Sequence, residues 1–348
     1  MLVILAGPAL TISIQIARAA QTAREPVLDE SSRFQILHRT VLPGEDFATA
    51  LAFDPVSRHL YVGRHSRITV LDVDSGHIVG QISDTGEITA LVFIPELSRG
   101  FASTSDDKLV MFDLRLLRKI ATFSIPGKGP NHLTYDPSTK RVFVMNNRSQ
   151  SVVAVSADHQ SVLGTIPLVD DPEAAIADGR GHLYVVLADP AEIAVIDTGR
   201  LTLMQRIRLS PCNEPRGIVM DTHARRLFVG CSNGFLAIAD PDRAQLIARL
   251  SIEPNSVEVS FDTRSQLVFA ANPAGMVSIV SQRFPDRYRL LSSLKTGQPI
   301  AGMALDPLHR HLLVAVAGKS RAALEPRTAK SPPNLILTIG KVDPQPTP

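Results

Sequence analysis

The chain has 348 residues, of which 44% are hydrophobic and 20% charged, enough to bury a core and too apolar for a disordered chain. A net charge of +2 gives no reason to expect nucleic acid or an anionic membrane surface, and with no Trp the stacking surfaces of single-strand binding are scarce. Only Cys212 and Cys231 offer thiol chemistry.

Residues 1–19 read as a signal peptide. An apolar run from Leu2 to Ile16 is followed by Ala17-Arg18-Ala19, a site that would release a chain starting near Ala20. The run is short for a spanning helix, Pro8 interrupts it, and no Lys or Arg precedes it, so an uncleaved N-terminal anchor is the alternative. The expected location is periplasmic or secreted. Residues 20–32 read as a linker.

From there one phrase recurs: a polar turn opening with Asp-Pro or a relative, then an apolar triplet. It stands at Asp54 (FDPVSRHLYV), Ile94, Asp136, Asp178, Asp221, Asp262 and Asp306, at steps of 40, 42, 42, 43, 41 and 44 residues. A second phrase runs in phase, placing Asp72, Asp113, Ser156, Asp197, Asp240 and Ser281 at intervals of 41 to 43. Each repeat holds four short β-type stretches rich in Val, Ile, Leu and Phe, punctuated by Gly, Pro, Asp and Ser. Four strands per repeat of this length is the pattern of a propeller blade. The seventh repeat lacks its fourth strand, and Phe34–Leu42 looks like the missing one. The reading is therefore an all-β, seven-bladed β-propeller over 33–340, four antiparallel strands per blade, its last blade closed by the N-terminal strand. Residues 341–348 read as a disordered tail.

The phrases LYVGRHSRITVLDVDSGHIVGQI and LYVVLADPAEIAVIDTGRLTLMQRI resemble the YVTN-type β-propeller repeat, whose relatives include lactonase-like, surface-layer and periplasmic binding proteins and a domain carrying d1 haem. The family's Thr-Asn is replaced by Gly63-Arg64 and Val186-Leu187, while Asn146-Asn147 and Asn272 come close. The resemblance implies the fold and says little about function.

Several chemistries can be weighed and set aside. No C-x-x-C-H is present, which excludes covalent haem, and neither H-E-x-x-H nor a P-loop occurs. Gly230-Cys231-Ser232-Asn233-Gly234 matches the nucleophile elbow, but it lies between two strands and Asn-Gly is a hairpin signal, so Ser232 reads as a turn residue. Asp72, Asp74 and Gly76 suggest a calcium loop that lacks its remaining ligands. His309 and His311 read as an alternating pair on a surface strand.

The place to look is the channel mouth, built from the linkers into each blade and the loops between second and third strands. Thr49, Thr89, Asn131, His132, Glu173, Arg216 and Glu258 sit four or five residues before the anchors; blade 7 has only Ala301 and Gly302 there. His132, Glu173, Arg216 and Glu258, from blades three to six, are expected to converge. One reading is structural, with Glu173 and Arg216 pairing between blades. A second is a site for a small polar or anionic ligand, with Arg216 recognising a carboxylate. A third is a lactonase-type hydrolase in which Glu173, Glu258 and His132, with Asn131, hold Ca or Zn. The expected function is that of a binding module for a small polar ligand or a partner protein, with the hydrolase as alternative and a structural surface role third. A monomer is expected. The basic segment 318–334 between the last two strands, with Lys319, Arg321, Arg327 and Lys330, reads as a cover over the mouth. Cys212 and Cys231 fall at the same end of one hairpin, where a disulfide or two free thiols are the alternatives.

Overall fold

The computed structural model describes residues 33–44, 46–284, 286–317 and 333–342. The signal-peptide segment, the linker 20–32, most of the basic cover segment and the residues after 342 lie outside them.

Among the described residues the strands form seven four-stranded antiparallel sheets, one per repeat. In six blades the strand order follows the chain, from the channel outward. The seventh runs Ile300–Asp306, His311–Val316, Leu335–Val342 and then Arg33–Val41. The closing strand pairs Arg39 with Leu337 and Val41 with Leu335, and Phe34 packs edge-on against Phe269 of blade six at 5.8 Å. The N-terminal strand thus supplies both the missing ladder and part of the core between blades six and seven.

The strand chemistry explains the burial. Second and third strands are covered on both faces and read as unbroken apolar runs, as in Arg141–Asn146 and Ser151–Ser156. Fourth strands, such as Val162–Pro167, alternate because one face meets solvent. The cores lie between blades: Phe101, Leu109, Met111, Val142, Val144 and Val153 form one such layer. Each fully buried side chain of this size contributes about 1.5–3 kcal/mol.

The repeated Asp is a turn-builder. Asp54 accepts from the Val56 amide at 3.0 Å, and the same bond recurs from Ser138 to Asp136, Arg180 to Asp178, His223 to Asp221, Arg264 to Asp262 and Leu308 to Asp306. Where blade two has Ile94, a 3-10 turn over Pro95–Leu97 makes the reversal instead. Asp72 builds the next turn in the same way, accepting from the amide and hydroxyl of Ser75 at 2.7 Å, so the calcium-loop likeness is a hairpin.

On this anchor-bearing face two arginines tie neighbouring blades through the repeated Asp. Arg58, at φ 60° in its turn, reaches back to blade seven, with Nη1 3.1 Å from Asp306 Oδ1 and Nη2 2.8 Å from Oδ2, and holds Asp74 of its own blade. Arg225 repeats the device between blades five and four through Asp178 and Asp242.

Candidate functional site

The opposite face carries the linkers and the channel mouth. Four first strands bulge there: Ile88–Ile94, Pro130–Asp136, Pro172–Ala177 and Ile300–Asp306 break register around Thr89, Asn131, Glu173 and Ala301. A bulge re-aims one side chain out of the ladder. In blades two to four it turns a polar side chain toward the mouth.

Three of the expected residues come together. Asn131 Nδ2 donates to the carbonyls of Pro172 and Glu173 at 3.1 and 3.2 Å, tying blade three to blade four. Its Oδ1 is buried and has no partner among the described residues. Glu173 accepts from Asn147 Nδ2 at 3.2 Å and faces Arg216 Nη1 at 3.6 Å. Burial pushes the Glu173 carboxyl above its ordinary range, and Arg216 opposes that shift. Arg216 also lies 3.8 Å from Glu214, so its guanidinium bridges two carboxylates. Thr89, Asn131, Asn147, Arg148 and Glu173 line a depression of about 510 Å³.

Two expected residues do not join. His132 turns its ring onto blade four, Nε2 donating to the Ala175 carbonyl at 3.0 Å, and burial lowers its pKa, so the ring is neutral. Glu258 makes no side-chain hydrogen bond or ion pair among the described residues, and burial raises its pKa to about 7. Of the four residues expected to converge, Glu173 and Arg216 pair, with Asn131 bonded to the Glu173 carbonyl, and no hydrogen bond or ion pair among the described residues links His132 or Glu258 to them. The physical reason is register. His132 and Glu258 stand one residue past the bulge position, where the other blades have Ala50, Ala90, Ala174, Gly217 and Gly302. Side chains there meet the neighbouring strand: a Cβ at Gly217 would lie 2.6 Å from the Val257 carbonyl oxygen. As a trio, His132, Glu173 and Glu258 do not form a ligand set; the described residues gather three such groups only at Asp306, His309 and His311.

Sequence reasoning missed Asn147 and Arg148 as lining residues. Asn147 occupies the stretch nearest the repeat's Thr-Asn, and that correspondence was the available signal. Elsewhere on this face, Cys212 and Cys231 are joined in a disulfide with Cα atoms 5.4 Å apart. Ser232 donates to the Asn213 carbonyl and Asn233 to that of Pro211, which pins the linker to the hairpin and leaves Ser232 as a turn residue.

No protein-family model matches the sequence. No curated protein matches it either. Among solved structures the chain is similar to a structure of U3-55K, with a TM-score of 0.74 and 12% identity over 88% of this chain and 98% of that one. It is likewise similar to the RRP9 WD40 repeats, with a TM-score of 0.75 and 13% identity over 88% of this chain and 100% of that one. At such identity the likeness concerns the fold, a seven-bladed propeller, and nothing further.

Proposed function

We propose that the protein is a recognition module whose channel mouth binds a small polar ligand, held by Asn131, Asn147, Glu173 and Arg216. The observation that carries this reading is the buried, unpartnered Oδ1 of Asn131 in a residue that lines one depression with Glu173. An unsatisfied buried acceptor costs about 1–3 kcal/mol, which a ligand supplying the missing donor recovers. The two acceptors ask for an amine, amide or hydroxyl on the ligand. Arg148 and Arg216 at the rim suit an anionic group at its other end. The depression of about 510 Å³ falls within the range of small-molecule sites. The same chemistry displayed on a partner protein is the form the reading takes if no free ligand is found.

The reading includes export behind the segment 1–19 and membership of the YVTN-type repeat group, supported by LYVGRHSRITVLDV and its relatives. The hydrolase alternative draws no support from His132, whose ring is bonded to the Ala175 carbonyl. The test is a thermal-shift panel of small amino-carboxylates, hydroxy-carboxylates and amides, followed by calorimetry on any hit. A hit should lose affinity by about tenfold or more in Asn131→Ala, which removes the buried acceptor, and in Glu173→Gln, which replaces a charged acceptor with a neutral amide. A ligand that binds both variants as tightly as wild type sits elsewhere, and the reading then fails.

A further inference from the structure

The anchor-bearing face carries a second cluster, at the seam where the ring closes. Asp306 ends the first strand of blade seven, His309 lies in the turn after it, and His311 opens the next strand. One ligand atom from each lies within 4.8 Å of the other two. His309 Nδ1 is 3.0 Å from Asp306 Oδ2, and the two imidazoles stack with centroids 5.6 Å apart. Room for the His311 ring depends on Gly340 of the neighbouring strand, where a Cβ would lie 2.7 Å from His311 Cδ2. The cluster opens on a depression of about 370 Å³ that His38 of the closing strand also lines.

The molecule contains its own control. At the seam between blades four and five, Asp178, His182 and Arg225 repeat Asp306, His309 and Arg58: His182 Nδ1 lies 3.1 Å from Asp178 Oδ2, as His309 Nδ1 lies 3.0 Å from Asp306 Oδ2. The turn there is Gly179-Arg180-Gly181 and offers no second imidazole. An arginine latch therefore needs one histidine at most, and His311 is surplus to it.

We propose that Asp306, His309 and His311 form a binding site for a divalent transition metal of the zinc class, at the seam between blades seven and one. Two imidazoles and a carboxylate suit zinc, nickel or copper, and leave a fourth position open toward the depression and His38. The place already attracts a cation: Arg58 Nη2 lies 2.8 Å from Asp306 Oδ2 and 2.8 Å from His309 Nδ1. Metal and guanidinium use the same two atoms and therefore exclude each other. When the metal binds, Arg58 keeps its pair with Asp74, whose oxygens accept from it at 2.6 and 2.7 Å.

The experiment is calorimetric titration of the untagged full chain with ZnSO4, with cobalt substitution read by visible absorption. One ion per chain is expected, with a higher melting temperature on binding. His309→Ala and His311→Ala should each weaken binding by more than about tenfold, and Arg58→Gln should tighten it by a similar factor. His182→Ala, at the control seam, should leave the titration unchanged. Absence of stoichiometric binding to wild type, or binding that survives His309→Ala and His311→Ala combined, overturns the proposal. Zinc that binds only the Arg58→Gln chain makes the guanidinium the native occupant, and that too overturns it.

Discussion

Replacing Glu258 by Gln should stabilise the protein at alkaline pH and do little in acid. Glu258 opens the first strand of blade six, in a register otherwise filled by Ala or Gly in five blades and by His132 in the third. Nothing described pairs with its carboxyl, and burial raises its pKa from 4.5 to about 7. The unfolded chain, with an ordinary carboxyl, releases this proton near pH 4.5. The folded chain keeps it to about pH 7. Below the lower value both states are protonated and Glu258 costs nothing in charge. Between the two the folded state binds the extra proton, so stability falls as pH rises, and it levels off above about pH 8.

At about 1.4 kcal/mol per pH unit, the interval from 4.5 to about 7 sets a ceiling of about 3 kcal/mol. The residue is only half-buried, so about 1–3 kcal/mol is the expected range. Gln keeps the shape and cannot ionise. Urea denaturation of both proteins near pH 4.5 and near pH 8 should show matching stabilities in acid and a more stable variant in base. A difference of equal size at both pH values would refute the reasoning, because it would belong to packing and not to charge.

Arg225→Lys should cost about 3 kcal/mol, because it strips the fork that joins Asp178, whose side chain is fully buried, to Asp242 and the Tyr184 hydroxyl. Arg243→Ala, a largely exposed group 3.9 Å from Asp240, is the control and should change unfolding free energy by less than about 0.5 kcal/mol in the same denaturant series. Removing the Cys212–Cys231 bond by a double Ser substitution should lower unfolding free energy by about 3 kcal/mol, given its separation of 19 residues. Denaturation of the variant against wild type without reductant measures it, and an unchanged midpoint would show that the hydrogen bonds of Asn233 and Ser232 hold the linker unaided.

The blade count was legible because each reversal on the anchor-bearing face uses the same local chemistry. An Asp carboxylate capping its own turn demands one residue type at one position, so the repeat shows in a single sequence even where Ile94 breaks it. Closure was legible by subtraction, since blade seven lacked a strand and Phe34–Leu42 supplied an unclaimed one. The channel mouth was legible only in part. A bulge is a property of a strand pair, and nothing within PEAAIA announces that Glu173 will leave the ladder while His132 turns onto the next blade. Contacts between blades are also remote in sequence: Arg58 and Asp306 are 248 residues apart. For that reason His309 and His311 read as a bare strand pair, and the carboxylate and guanidinium beside them were invisible.

The two faces of the ring obey different rules, and the difference bears on where a ligand sits. On the anchor-bearing face the buried Asp54, Asp136, Asp178, Asp221, Asp262 and Asp306 each accept from an amide of their own turn. Polar burial there is matched locally, before any other blade is in place. On the linker-bearing face, buried atoms of Thr49, Arg64, Arg67, Asn131, Asn146 and Gln298 have no partner among the described residues, against His59, Thr198 and Gln282 on the other face, with Thr69 in mid-strand between them. Unmatched polar groups lower stability, and real proteins keep such violations chiefly at functional sites. Their position on this face, where bulges have already turned Asn131 and Glu173 out of their ladders, is what the proposed ligand site rests on. The seam of Asp306, His309 and His311 is the exception on the other face, since there a matched Asp carries one imidazole more than its latch requires.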